Sequence, residues 1–410
     1  MTDRGDRCRV AVTGIGVTCA LGGNQREFWD AAMAGRCGIG DLDLFESEGY
    51  LSHQAAQVRE LRRPGSSLRR DLRRGTRTDL LCLAAAEEAL DQAGLGESGN
   101  LRDFGVSLGT STAGMLEAEW GCREWIRLGS GRAPTSAALG VPTSAPTDAL
   151  ARRFRTCGPR LSNMTACASS AAAIGLAGDL IRCGQAPGMI AGGGDALCRM
   201  TYAGFNALRL VDPDPCRPFD ASRNGLSLGE GAGILVLEAW DHALARGAHP
   251  LVEFLDYGSS CDAHHMTGPH PEGRGAAAAM GEALERSGIS PEQVGHLNAH
   301  GTGTPMNDAT EGLAIVAIFG PELSARLPLT ATKSMIGHLL GGAGAVEAVT
   351  LILSLLHQAV PPTLGWTACE PGIRLDVVAG SPRKVSFEIG LSNSFGFGGT
   401  NCCLVFRRPS

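Results

Sequence analysis

Apolar and polar positions alternate along the chain in blocks that change period. "RVAVTGIG" near the start is a short apolar run ending in glycines, the signature of a buried strand and a turn. "TDLLCLAAAEEALDQAGL" (78–95) follows the helical period, with Asp79 near its start and Gly94 at its end. "FGVSLGTS" and "GMIAGGGDA" again give strands, and "CASSAAAIGLAGDLIRCG" between them gives a helix that ends at Gly184. "GILVLEAW" is a strand that leads into the polar helix "DHALARGA". This alternation predicts an α/β protein of layered sheets and helices.

Two pairs of segments look alike. "GLSLGEGAGILVLE" (225–238) resembles "GLSNSFGFGGTNCCLVF" (390–406), and "CASSAAAIGLAGDLIRCGQAP" (167–187) resembles "LGGAGAVEAVTLILSLLHQAVP" (340–361). The pairs predict two similar halves, residues 1–258 and 259–410. Each half contributes a helix of small residues, and the two helices can approach closely at the centre.

Length and composition then narrow the class. The 410 residues suffice for two fused halves, and 43% hydrophobic content supports a large core. Net charge is −6, so no general nucleic-acid role is expected. The most apolar stretch, "AVEAVTLILSLL", is too short to span a bilayer and contains Glu347, so no membrane span is expected. The N-terminus passes from polar residues directly into a strand-like run, without a secretory pattern, and a cytoplasmic location is expected. The 14 cysteines lack zinc-ligand spacing, so most read as small buried hydrophobes. "GIG" at 14–16 lacks the third glycine of a dinucleotide loop.

Four segments carry candidate chemistry. Cys167 opens the small-residue helix, and a helix N-terminus lowers a thiol pKa and favours the thiolate. His300 follows a short strand and enters a Gly-Thr-Gly-Thr turn with Thr302 and Thr304. Lys333 and His338 stand five residues apart. "SNSFGFGGTN" (392–401) is a loop whose glycines let backbone N–H groups approach a ligand.

In this order the segments resemble the elongating β-ketoacyl-[acyl carrier protein] synthases of the thiolase superfamily. The resemblance runs over nearly the whole chain. It rests on "TACASS" (165–170), "GEGAG" (229–233), "NAHGTGTPMND" (298–308), "KSMIGHLLGGAGAVE" (333–347) and "FGFGGTN" (395–401). It implies a thiolase-like five-layered αβαβα fold and a dimer, either of two copies or with a homologous chain-length subunit. The implied reaction is a decarboxylative Claisen condensation of a Cys-bound acyl group with malonyl on an acyl carrier protein, in type II fatty acid or polyketide synthesis. Cys167 matches the nucleophile, and His300 and His338 the two histidines that assist decarboxylation. Lys333 matches the family lysine, with Glu311 as its expected partner. The N–H groups of Cys167 and Phe397 match the oxyanion hole, and Phe397 also the gate. Thr302 and Thr304 match positions that contact phosphopantetheine, which the carrier supplies, so no bound organic cofactor is expected. Asn298, Glu347, Ser392 and Asn393 fall where some relatives hold a monovalent cation, and no catalytic metal is expected.

The run "RELRRPGSSLRRDLRRGTR" (59–77) matches the carrier-docking segment through Arg69, Arg70, Arg73 and Arg74, and Arg209 is a further candidate. Met164, Phe205 and Thr112 match acyl-pocket positions. Thr112, where a branched apolar residue is usual, and the pair Leu226-Ser227 give a slight lean towards a polyketide or polyene system. Two other functions fit the same fold: a non-condensing chain-length partner, which would lack the cysteine, and an acyltransferase or decarboxylase that stops before carbon–carbon bond formation.

Overall fold

The computed structural model describes residues 8–61, 75–96, 99–129 and 136–409. Fifteen strands are found among them: β1 (Val10–Cys19), β2 (Ile39–Asp41), β3 (Gln54–Ala56), β4 (Gly105–Gly109), β5 (Arg160–Asn163), β6 (Gly188–Asp195), β7 (Gly231–Ala239), β8 (Val252–Cys261), β9 (His296–Asn298), β10 (Pro328–Thr330), β11 (Ala359–Val360), β12 (Asp376–Val377), β13 (Arg383–Lys384), β14 (Ile389–Gly396) and β15 (Thr400–Arg407). Strands β2 and β3 form one small pair, and β11 and β13 another.

The remaining eleven strands run in the order β12-β10-β9-β14-β15-β8-β1-β7-β6-β4-β5. This order holds two copies of one topology. In the first half β5, β4 and β6 are parallel, and β7 and β1 follow antiparallel. In the second half β10, β9 and β14 are parallel, and β15 and β8 follow antiparallel. The halves join through a short antiparallel pairing in which Val10, Ala11 and Val12 of β1 face Phe254, Glu253 and Val252 of β8. Residue 258 lies inside β8, so the second topological copy begins at Val252.

Helices complete the layers. Helix Arg77–Gln92 covers the outer face of the first half against β1 and β7. Its start is a capping box in which the Thr76 side chain accepts from the Asp79 N–H and the Asp79 carboxylate accepts from the Thr76 N–H. The chain leaves this helix through Gly94, whose φ of 68° needs a residue without Cβ strain. Helix Arg274–Ser287 covers β8 and β15 on the other outer face, with helix Pro305–Ser324 packed on it. The two small-residue helices, Ser169–Arg182 and Ala343–His357, lie between the sheet halves. The result is the αβαβα layering that the family resemblance implied.

The central helices share one core cluster in which Ala171, Ile174, Ala177, Val346, Val349 and Leu353 are buried. Close approach depends on missing side chains. A Cβ on Gly344 would stand 2.9 Å from the Ala171 Cβ, and one on Gly175 would enter the Tyr257 ring at 2.6 Å. Across this contact the Ser170 hydroxyl accepts from the Ala345 N–H at 2.9 Å. The apolar segment 340–357 is therefore a core helix, with 89% of its window buried.

Candidate active site

Cys167 lies in a one-turn 3-10 segment, Ala166–Ala168, just before helix Ser169–Arg182. Ala166 is held at φ 48°, a left-handed conformation that alanine adopts only under constraint. The constraint is local: Ser169 Oγ donates to the Ala166 carbonyl at 2.6 Å and accepts from the Thr165 N–H at 2.9 Å. The turn aims the thiol into a cavity, where it is 7% exposed. The cavity is also lined by Phe205, His300, Thr302, Thr304, His338 and Phe397.

The thiol does not behave as its place at a helix start suggests. Burial pushes Cys167 up to about 11, while the Lys333 ammonium and the backbone N–H groups of Phe397 and Cys167 pull the other way. Loss of contact with water outweighs the helix end. Cys167 therefore rests as the neutral thiol at pH 7.

His300 comes from the loop after β9, and His338 from the turn after the short helix Lys333–Ile336. Their ring centroids are 5.4 Å apart, with the planes nearly perpendicular at 83°. Lys333 Nζ donates to His300 Nδ1 at 3.2 Å and to the His300 carbonyl at 2.6 Å. The Leu340 N–H donates to His338 Nδ1 at 3.1 Å. Each imidazole thus uses Nδ1 as an acceptor, which leaves its proton on Nε2. Burial and the nearby Lys333 charge hold both rings well below the ordinary histidine range, with each His338–His300 contact adding to His300. Two neutral rings that donate from Nε2 form a site for a developing oxyanion.

The depressed values set the pH response. A histidine lowered below 6.5 stays neutral as pH falls through 6.5. The acid limb of malonyl decarboxylation should therefore lie below that value. In a single-turnover pH–rate profile, an acid midpoint at 6.5 or above that persists in Glu311→Gln and Glu347→Gln, which remove the two carboxyls that burial raises to about 7, would contradict this assignment.

Lys333 is completely buried and pairs with the equally buried Glu347. The expected partner, Glu311, is engaged elsewhere. Its two carboxylate oxygens accept the His300 and Gly301 N–H groups at 2.8 Å each, and Asn393 Nδ2 at 3.1 Å. Glu311 shapes the backbone that carries His300, and Glu347 holds the lysine. Burial raises both carboxyls to about 7.

Phe397 opens the turn after β14 and stacks on Phe205 with centroids 5.6 Å apart. Its N–H faces the Cys167 thiol beside the N–H of Cys167 itself. Gly396 permits this closeness, because a Cβ there would stand 3.0 Å from the Cys167 nitrogen and 2.8 Å from Thr400 Oγ1. Gly396→Ala should lower condensation ~10–100-fold by displacing the Phe397 and Cys167 N–H groups from beside the thiol. Steady-state rates, with melting temperature as the folding control, check this result.

Other expected residues divide. Thr302 and Thr304 hydrogen-bond to each other at 2.9 Å within the cavity wall. Arg209 is exposed beside Leu210, which lines the cavity. Arg69, Arg70, Arg73 and Arg74 lie outside the described residues. Thr112 does not line this cavity, and its hydroxyl is bound to Asp195 at 2.9 Å, so it offers no free polar group to an acyl chain. Met164 also does not line it and is 62% exposed, because it follows the edge strand β5 at the surface of the single chain. Asn298 donates to Ser392 Oγ at 3.5 Å and accepts from Thr332 at 2.9 Å. Glu347 Oε2 and Asn393 Oδ1 are buried without a hydrogen-bond partner, two hard oxygens chemically suited to a monovalent cation.

Comparison with known proteins agrees with this geometry. Residues 7–243 match the Beta-ketoacyl synthase, N-terminal domain, and residues 251–367 the Beta-ketoacyl synthase, C-terminal domain. The chain is 37% identical to 3-oxoacyl-[acyl-carrier-protein] synthase 2 of Synechocystis sp., over 98% of this chain and 99% of that protein. Among solved structures, the ishigamide ketosynthase/chain length factor superposes with TM-score 0.92 at 33% identity, covering 98% of this chain and 100% of that one. AntDE:AntF, a type II PKS acyl-carrier protein in complex with its ketosynthase bound to the hexaketide, gives TM-score 0.90 at 29% identity, with the same coverage. With both domain models matched in sequence order, and the thiol and two imidazoles meeting in one cavity, the chain belongs to the beta-ketoacyl synthase family.

Proposed function

We propose that this protein is an elongating β-ketoacyl-acyl-carrier-protein synthase that extends a Cys167-bound acyl chain by two carbons. The observation that carries this reading is that two imidazoles, each with Nδ1 already taken by a donor, line the cavity that holds the thiol, which leaves Nε2–H to donate. In the first step Cys167 sulfur attacks the thioester of an acyl carrier. The carrier's pantetheine sulfur leaves and takes the proton that Cys167 gives up. The oxyanion sits between the N–H groups of Cys167 and Phe397. In the second step the bond from malonyl carbon to its carboxylate breaks, and CO2 departs. The electron pair moves to the thioester oxygen, where His300 and His338 Nε2–H groups hold the enolate. The enolate carbon attacks the Cys167 thioester, and collapse of that intermediate expels the cysteine sulfur, which regains a proton.

The phosphopantetheine arm belongs to the carrier, and Thr302 and Thr304 line its route to the thiol. A monovalent cation, if held, would lie among Asn298, Glu347, Ser392 and Asn393, where it would balance buried charge. Trp120, Trp125 and Ile126 on one helix and Leu139 on the short helix packed against it are exposed, which supports a protein partner covering them. That partner is a second copy or a homologous chain-length subunit. An acidic carrier docking at Arg209 and the arginine-rich run is the expected second contact. All 14 cysteines are unpaired, which supports a reducing, cytoplasmic setting. Relatives named 3-oxoacyl-[acyl-carrier-protein] synthase and a type II PKS ketosynthase both resemble the chain, and the product is a fatty acid or polyketide intermediate.

The test is intact-protein mass after incubation with a panel of acyl carriers, followed by malonyl carrier and product mass. An adduct on Cys167 and a product two carbons longer support the reading. An adduct with no extension would favour an acyltransferase.

A further inference from the structure

Asp195, the last residue of β6, is fully buried and belongs to neither of the catalytic loops. Its Oδ2 accepts the Gly341 N–H at 2.7 Å and the Ser111 N–H at 2.8 Å. Its Oδ1 accepts the Thr110 hydroxyl at 2.5 Å, the Thr112 N–H at 2.8 Å, the Thr112 hydroxyl at 2.9 Å and the Ala113 N–H at 3.3 Å. One carboxylate therefore binds a loop of the first half and a turn of the second half.

Both partners lead to the reacting groups. Gly341 follows Leu340, whose N–H donates to His338 Nδ1. On the other side, Ser111 Oγ donates at 3.1 Å to the carbonyl of Ala166, the residue before Cys167. The two routes pass through strained backbone. Ala113 (φ 44°), Ala166 (φ 48°) and Leu340 (φ 52°) are all left-handed without being glycine. Such conformations persist only where surrounding bonds over-determine them, and here Asp195 and its Ser111 partner add to the Ser169 bonds that hold Ala166. Space is equally tight, since a Cβ on Gly341 would stand 2.7 Å from the Ser111 nitrogen and 2.8 Å from Asp195 Oδ2.

We infer that Asp195 is a positioning residue that locks the His338 turn to the Cys167 turn across the two halves. It fixes the His338 tautomer and the gap between imidazole and thiol, and it touches no substrate. A carboxylate suits this task because it accepts on every side. In Asn the amide nitrogen would face N–H or O–H donors, so one side of the clasp opens.

The inference rests on the condensing reading above, and wild-type protein run alongside separates the two. If wild type fails to release CO2 from malonyl carrier or to extend an acyl chain, the condensing reading fails. If wild type succeeds, Asp195→Asn tests the clasp. The expected result is a fall of ~30-fold or more in kcat for condensation, with KM for the carrier within about threefold. Malonyl decarboxylation, the half-reaction that needs His338, should fall with it. Condensation within threefold of wild type would overturn the proposal, as would a fall carried by KM alone. Should Asp195→Asn fail to fold, Thr110→Val removes one donor to the carboxylate at nearly constant volume. A kcat loss of ~3–10-fold at unchanged KM then supports the clasp, and wild-type kcat in that variant overturns it.

Discussion

Cys167→Ala should abolish both acyl loading and chain extension, while CO2 release from malonyl carrier continues. The thiol is the only nucleophile among the residues lining the cavity that stands beside the paired N–H groups of Cys167 and Phe397. Removing a covalent nucleophile commonly costs ~10^4-fold or more. The two imidazoles keep their Lys333 and Leu340 donors in this variant, so the enolate can still be held. Intact mass should show no adduct, product mass no extension, and a CO2 assay continued release. Any extension above the background without enzyme would remove Cys167 from its role.

Lys333→Ala carries the second large effect, and it acts on folding and chemistry together. The ammonium makes three contacts in a fully buried place: Glu347, His300 Nδ1 and the His300 carbonyl. Without it, Glu347 is a buried carboxylate with no cation at hydrogen-bond distance among the described residues. Breaking such a pair from one side costs ~3–5 kcal/mol. His300 also loses the donor that keeps its proton on Nε2. Condensation should fall ~10^2–10^3-fold, in line with the loss of an oxyanion donor. The double variant Lys333→Met, Glu347→Gln distinguishes the effects. It should recover much of the melting temperature, since no lone charge remains, and little of the activity. Full recovery of rate in the double variant would show that Lys333 serves stability alone.

The parts of this protein that were legible in its sequence are those carried by local pattern. Strand and helix periods placed β1, β4, β6, β7 and the small-residue helices, because burial on both faces leaves continuous apolar runs. The repeated segments suggested two similar halves, and the sheet holds two copies of one strand topology. The motif residues Cys167, His300 and His338 do meet at one cavity, with Lys333 buried behind His300. What local pattern did not carry depended on distance through space. Glu311 was expected beside Lys333, yet the fold delivers Glu347, the last residue of the lysine's own motif. Thr112 was read by its position in a motif, and only the fold shows its hydroxyl bound to Asp195. The downward shift expected for Cys167 followed from its helix, while burial, which a sequence does not display, decides the outcome. Asp195 left one signal: an acid at the end of "GMIAGGGD", a run otherwise free of charge.

The contact between the two central helices has a consequence for how this protein tolerates drift. The spacing of these two helices is gauged by an atom that is missing, the Cβ of Gly344, which would stand 2.9 Å from the Ala171 Cβ. A caliper set in this way can be forced open by one methyl group and has no means of being tightened. Many inactivating lesions should therefore fall on small residues that never meet substrate. Their signature would be an inert protein that still folds, with its jaws a fraction of an ångström too wide.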